Sequence, residues 1–193
     1  METVSYVVME RGRHQLANGA QIEAGSLITG TTLAFQRQTF RASFADAPVV
    51  FASVVSFNES DAVTARLHAI ASDGFEVGLR EQEANSQRHR PERVDFIAWE
   101  ASTGVVDGMR YEVGRTGRNV DHEAHNLVYQ TAFVRPPVLV ADMQTTHGDD
   151  TAALRWDNLN VDSVELRVQE EQSRDRERTH VFEEVGYFVA DVE

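Results

Sequence analysis

Six pairs of polar residues in this chain keep both their type and their spacing, and their chemistry is the place to begin. They are Asp61/Asp150, Arg66/Arg155, Glu76/Glu165, Glu81/Glu170, His89/His180 and Glu92/Glu183. Carboxylates, an imidazole and a guanidinium can accept and donate hydrogen bonds to sugar hydroxyls, and carboxylates beside an imidazole can hold a cation. One reading therefore takes Asp61, Arg66, Glu81, His89, Glu92, Asp150, Arg155, Glu170, His180 and Glu183 as ligand-contacting residues, with Glu81, His89 and Glu92 grouped around residues 82–91 at one end of a β-fold. The other reading is structural. Arg66 would pair across strands with Glu76 or Glu81, an exposed contact contributing about 1 kcal/mol or less.

Other constellations are sparse. Asp61 and Asp150, with Asn58, Glu59, Asp142, His147 and Asp149, offer oxygen and imidazole ligands for calcium, without EF-hand spacing or a glycine–aspartate nonapeptide. His122-Glu-Ala-His125 lacks the spacing of a zincin helix. Trp99 and Trp156 can stack on sugars, but both occupy apolar strand positions, where packing is the simpler role. Arg174-Asp-Arg-Glu-Arg178 reads as a solvated hairpin tip. A Gly-x-Ser-x-Gly elbow, a phosphate-cradling loop and a Rossmann fingerprint are all absent, and no carboxylate pair stands out as an acid/base couple. The expectation is a protein that is not an enzyme.

The retained pairs belong to an internal repeat. Gly19-Ala-Gln-Ile-Glu-Ala-Gly25 returns as Gly108-Met-Arg-Tyr-Glu-Val-Gly114, an offset of 89 residues. Phe44, Pro48 and Val49 return at the same offset as Phe133, Pro137 and Val138. After a two-residue insertion the offset is 91, matching His89, Glu92 and Val94 to His180, Glu183 and Val185. A closing segment occurs three times: Val4-Ser-Tyr-Val-Val-Met-Glu10, Val94-Asp-Phe-Ile-Ala-Trp-Glu100 and Val185-Gly-Tyr-Phe-Val-Ala-Asp191. Two explanations of the first copy stand side by side: a piece of a longer tandem array, or a unit that needs this strand at its start.

Strands must position these residues. Phe75-Glu-Val77-Gly-Leu79 and Val164-Glu-Leu166-Arg-Val168 alternate with period two, and Pro48 and Pro137 each introduce an apolar run. Turn-forming clusters at residues 58–61, 72–74 and 146–150 separate the runs, and no segment carries a long helical period. Short, regularly spaced strands predict an all-β fold of about six strands per unit. The unit boundary falls near Thr103, in the Ser102-Thr-Gly104 turn, giving units 1–102 and 103–193. In the closing strand, Val94, Phe96 and Ala98 form one face while Ile97 and Trp99 make the other face apolar too. Such a face needs a cover: a neighbouring unit, another subunit or a crossing loop.

Composition narrows the classes. The chain has 193 residues, 18 Lys+Arg against 31 Asp+Glu for a net charge of −13, 41% hydrophobic content and no Cys. That is enough apolar material for a core. The negative field disfavours nucleic acid and anionic membranes as partners. Without Cys there are no disulfides, thiolate zinc sites or thiol catalysis. No apolar run is long enough to span a membrane, and Met1-Glu-Thr-Val-Ser5 lacks the pattern of a signal peptide, so an exported protein would carry its signal outside this chain.

Both units resemble the H-type lectin domain. In the first, the matching residues are Phe40-Arg-Ala-Ser-Phe44-Ala-Asp-Ala-Pro48-Val-Val, Ala65-Arg66-Leu67, Asp73-Gly74-Phe75 and Asp95-Phe-Ile-Ala-Trp-Glu100. In the second they are Phe133, Pro136-Pro137-Val138, Arg155 and Val185-Gly186-Tyr187, with a departure at Ser163-Val164. The resemblance implies two tandem six-stranded antiparallel β-sandwiches, assembly into trimers, and multivalent recognition of surface glycans between subunits. It also suggests a bacterial cell-surface or extracellular setting, in adhesion. The family's Asn and Arg contacts fall here on Ser60 and Ala62, and its Trp-His pair on Gln82-Glu83 and Glu171-Gln172. None keeps the sugar-binding type. The alternative is a spacer or oligomerisation repeat of an adhesin or particle spike that binds no sugar.

Overall fold

The computed structural model describes residues 4–191, which contain no helix and fourteen β-strands. The first half comprises β1 (Gly12–Gln15), β2 (Gln21–Thr29), β3 (Gln36–Thr39), β4 (Val49–Val54), β5 (Val63–Ala71), β6 (Gly74–Glu81) and β7 (Glu92–Trp99). The second comprises β8 (Ser102–Val106), β9 (Met109–Arg115), β10 (His125–Val128), β11 (Val138–Met143), β12 (Ala152–Asp157), β13 (Ser163–Glu170) and β14 (Val185–Asp191). Every ladder is antiparallel. The sheet orders β1-β2-β7-β4 and β3-β6-β5 recur as β8-β9-β14-β11 and β10-β13-β12. The duplication read in the sequence is thus a duplication of topology.

Each half carries seven strands, one more than expected. The extra member is a short leading strand, β1 or β8, hairpinned onto β2 or β9. The Ser102-Thr-Gly104 segment is therefore not a turn but the start of β8. The real turn is Asp107-Gly108, with φ of 49° and 83° between the paired Val106 and Met109. That two-residue loop needs positive φ at both central positions, which Asp-Gly tolerates and β-branched residues do not. Pro48 and Pro137 stand immediately before the edge strands β4 and β11, where a missing N–H breaks no ladder.

Within each half one core fills the space between the two sheets. In the first, Leu27 (β2), Val50 (β4), Leu67 (β5), Phe75, Val77 and Leu79 (β6) meet Val94, Phe96 and Ala98 (β7). In the second, Leu139 (β11), Val164, Leu166 and Val168 (β13) meet Val185, Tyr187 and Val189 (β14). A third cluster joins the halves: Ile22, Val49 and Trp99 pack on Tyr111, Val113, Phe188 and Ala190, with Val7 and Met9 alongside. The apolar outer face of the closing strand is therefore covered by the other half and by the N-terminal segment. Trp99 stacks at a tilt between Tyr111 and Phe188, with ring centroids 5.3 and 5.2 Å away, as a packed residue rather than an open stacking platform.

Candidate functional site

The retained histidines and glutamates form two equivalent buried triads. The end of β6 supplies Glu81, the following loop His89 and the start of β7 Glu92. His89 places Nδ1 3.1 Å from Glu81 Oε1 and Nε2 3.2 Å from Glu92 Oε1. In the second half His180 bridges Glu170 through Nδ1, and its Nε2 lies 3.1 Å from Glu183 Oε1. Each ring nitrogen faces a carboxylate oxygen, and only the doubly protonated imidazole donates from both. The second carboxylate of each triad is gripped again. Ser56 Oγ and the Asn58 amide donate to Glu92; Thr145 Oγ1 and the His147 amide donate to Glu183. Ser56/Thr145 and Asn58/His147 are themselves repeat equivalents. The triads tie the loop before each closing strand to the loop after β4 or β11.

These side chains are not presented at an open sandwich end, as the ligand-contact reading requires. Glu81, His89, Glu92, Glu170, His180 and Glu183 are all buried, none more than 8% exposed. Arg66 is buried too, and its partner is neither Glu76 nor Glu81. Its Nη2 reaches Glu183 Oε1 of the second half at 3.4 Å. Glu76 pairs instead with His68, at 3.0 Å. Arg155, the repeat equivalent of Arg66, is exposed and donates to Gln169 Oε1 at 3.0 Å. Asp61 is exposed. Of the proposed calcium set, Asp142 accepts from Ala52 N, and the backbone amides of Asn58 and His147 donate to the triads. Asp150 lies instead beside Glu83 and Glu170, with oxygens within 4.8 Å of one another. Burial and then the charges of Asp150, Asp175, Glu170 and Glu171 raise the pKa of Glu83.

Around Arg66, polar side chains of the second half take the backbone groups of the first. Gln144 accepts from Val50 N and donates to Val50 O, both at 2.8 Å, so it pairs the open edge of β4 as a strand would. Asp142 Oδ2 accepts from Ala52 N at 3.0 Å. Arg115 donates to Pro48 O, Thr146 to Leu67 O and Thr151 to Glu81 O, at 2.7, 2.7 and 2.6 Å. The repeat equivalents of Asp142, Gln144 and Arg115 are Ser53, Val55 and Ser26. Comparing the copies could not find these residues, because they join the halves where the copies differ. A further pair, Glu23/Glu112, was visible inside the repeated Gly-to-Gly segment. Glu23 accepts from Arg41 N, Glu112 from Gln130 N and from Tyr187 Oη at 2.6 Å.

Burial and hydrogen bonding pull the titrations at this interface apart. Burial pushes Asp142 up to about 7, against the Ala52 amide and the Arg66 charge. Burial also opposes ionisation of Glu183, but bonds from His180, Thr145, His147 and Gly148 prevail and hold it at about 2. Burial pulls His180 down, yet its bonds to Glu183 and Glu170, and their charges, leave it above the usual histidine value. The signs give a window. Glu183 contributes stability above its unfolded value of 4.5, lost as pH falls toward 2. His180 and Asp142 contribute stability that is complete below their unfolded values of 6.5 and 3.8. It is lost as pH rises through the folded value, for Asp142 about 7. Urea unfolding should thus show highest stability in mild acid and a drop of about 2 kcal/mol by pH 8.5, which Asp142→Asn reduces.

One open groove of about 420 Å³ runs between the halves. Its lining includes Thr64, Arg80, Gln82, Arg155, Gln169, Glu171 and Gln172. Three of these, Gln82, Glu171 and Gln172, are positions that the lectin resemblance assigns to sugar contact. Of the ten retained candidates, Glu81, Glu170 and Arg155 border it.

No protein-family model matches the chain, and no solved structure matches it. Among curated proteins, Halomucin of Haloquadratum walsbyi (strain DSM 16790 / HBSQ001) is 30% identical over 187 residues, covering 95% of this chain. The chain spans about 2% of the length of that relative.

Proposed function

We propose that this chain is a non-catalytic structural repeat module of a large extracellular or cell-surface protein. Its two units, 1–102 and 103–193, are read as H-type lectin-like sandwiches of six strands, each led by the short strand β1 or β8. The observation that carries this reading is the inward use of the retained polar set: Glu81, His89, Glu92 and their equivalents pair with one another in buried triads, and Arg66 joins the halves. Similarity to a short stretch of Halomucin supports a place within a much longer chain. The net charge of −13 suits a hydrated, mutually repelling surface.

A second reading keeps glycan recognition but moves it. The groove between the halves presents Arg80, Gln82, Arg155, Gln169 and Gln172, charged and amide groups suited to sugar hydroxyls. An array of glycans and bacterial capsular polysaccharides, probed with calcium and with chelator, separates the two. The structural reading predicts a blank array at high multivalent density. Selective binding that Gln82→Ala and Arg155→Ala abolish, with melting unchanged, would establish the groove as a lectin site and contradict it.

A further inference from the structure

The three copies of the closing segment are not treated alike. In β7 and β14 the alternate residues Val94, Phe96 and Ala98, and Val185, Tyr187 and Val189, are at most 4% exposed. Each set lies in the core of its own half. Their equivalents in residues 4–10 are Val4, Tyr6 and Val8, which are 80%, 77% and 83% exposed. The opposite face is placed as in the other copies. Val7 and Met9 pack in the same cluster as their equivalents Ile97 and Trp99, Phe188 and Ala190. One face of this segment is thus in register with the fold, and the face that is core elsewhere is bare.

Its edges are bare as well. β7 lies between β2 and β4, and β14 between β9 and β11, whereas residues 4–10 belong to no strand ladder. A hollow of about 380 Å³, lined in part by Tyr6, Val8, Phe51, Ser53 and Val55, opens beside them. Three apolar side chains at this exposure, in strand alternation, are an unfinished core rather than a scatter of surface residues.

We propose that residues 4–10 are the closing strand of a third repeat unit, whose other strands flank it and whose second sheet covers Val4, Tyr6 and Val8. The occupant is a unit of this same repeat without a closing strand of its own. A second whole copy of the chain does not fit, because both of its closing strands already lie centrally in their sheets. The inference rests on the repeat-module reading for the source of that unit, but its test is separate: the glycan array decides that reading and leaves this one untouched.

The test extends the full chain. Residues 103–184 are placed directly ahead of Val4, so that residues 4–10 follow Glu184 as residues 185–191 do. In the 193-residue chain the amides of residues 4–10, which lie in no strand ladder, are expected to exchange fast. In the extended chain they should exchange at least about a hundredfold more slowly, with protection appearing across the added residues. Tyr6→Asp should leave the melting of the original chain unchanged and unfold the added unit in the extended one. Unchanged exchange at residues 4–10 overturns the proposal whether or not the added residues fold, because the strand is said to be the piece that unit needs. Concentration-dependent protection in the original chain also overturns it, by making a second copy the occupant.

Discussion

Arg66→Met is expected to lower the unfolding free energy by about 3–5 kcal/mol, while Arg155→Met changes it by less than about 0.5 kcal/mol. The two arginines are repeat equivalents on equivalent strands, so any intrinsic effect of the substitution on a β-strand cancels. Their surroundings differ. Arg66 is 1% exposed, 3.4 Å from Glu183, and its charge also acts on Asp142 and Glu170. Burial depresses its pKa, and those three carboxylates oppose the depression. Removing the guanidinium leaves buried carboxylates uncompensated, which costs more than the pair contributes when intact. Arg155 is exposed and donates to Gln169. Urea denaturation of both variants beside the wild type checks this; equal losses would mean that the halves do not meet through Arg66.

His89→Gln and His180→Gln are each expected to destabilise the chain by about 3–5 kcal/mol at neutral pH. A glutamine amide carries both its N–H donors on one nitrogen, so it cannot reach two glutamates from opposite sides as the two ring nitrogens do. Glu81 and Glu92 are 0% and 1% exposed, and Glu170 and Glu183 are 6% and 0%. The remedy follows from the same chemistry. Acidifying to about pH 4.5 protonates part of the uncompensated carboxylate population and should recover part of the loss in the variants. Urea midpoints at pH 7 and pH 4.5 read this directly. A variant that melts like the wild type yet loses glycan binding would restore the histidines to a ligand-contacting role.

How legible this was in the sequence depends on which symmetry a residue obeys. Alternation placed Phe75, Val77 and Leu79 in one core and Val164, Leu166 and Val168 in the other, because burial between two sheets imposes a period of two. The offsets of 89 and 91 found the triads as a constellation, but not which way they face. Polar residues retained in both copies look alike whether they bind a ligand or one another. Apart from Arg66, the residues that join the halves escaped the comparison of copies for the opposite reason. Asp142, Gln144 and Arg115 have no like partner at Ser53, Val55 and Ser26, since a contact between unlike surfaces needs each copy to change. Leu67 is fully buried while its equivalent Trp156 is 41% exposed, one position in two environments. The short strands β1 and β8 went unread because four or five residues carry too little alternation, although Asp107-Gly108 announces the hairpin that closes β8 onto β9.

Scanning calorimetry of the whole chain tests the central claim, that Arg66, Asp142, Gln144 and Arg115, with the shared apolar cluster, lock two units into one rigid block. The account predicts a single transition whose calorimetric and van't Hoff enthalpies agree, and its separation into two in Arg66→Met. Two independent transitions in the unmodified chain would contradict it.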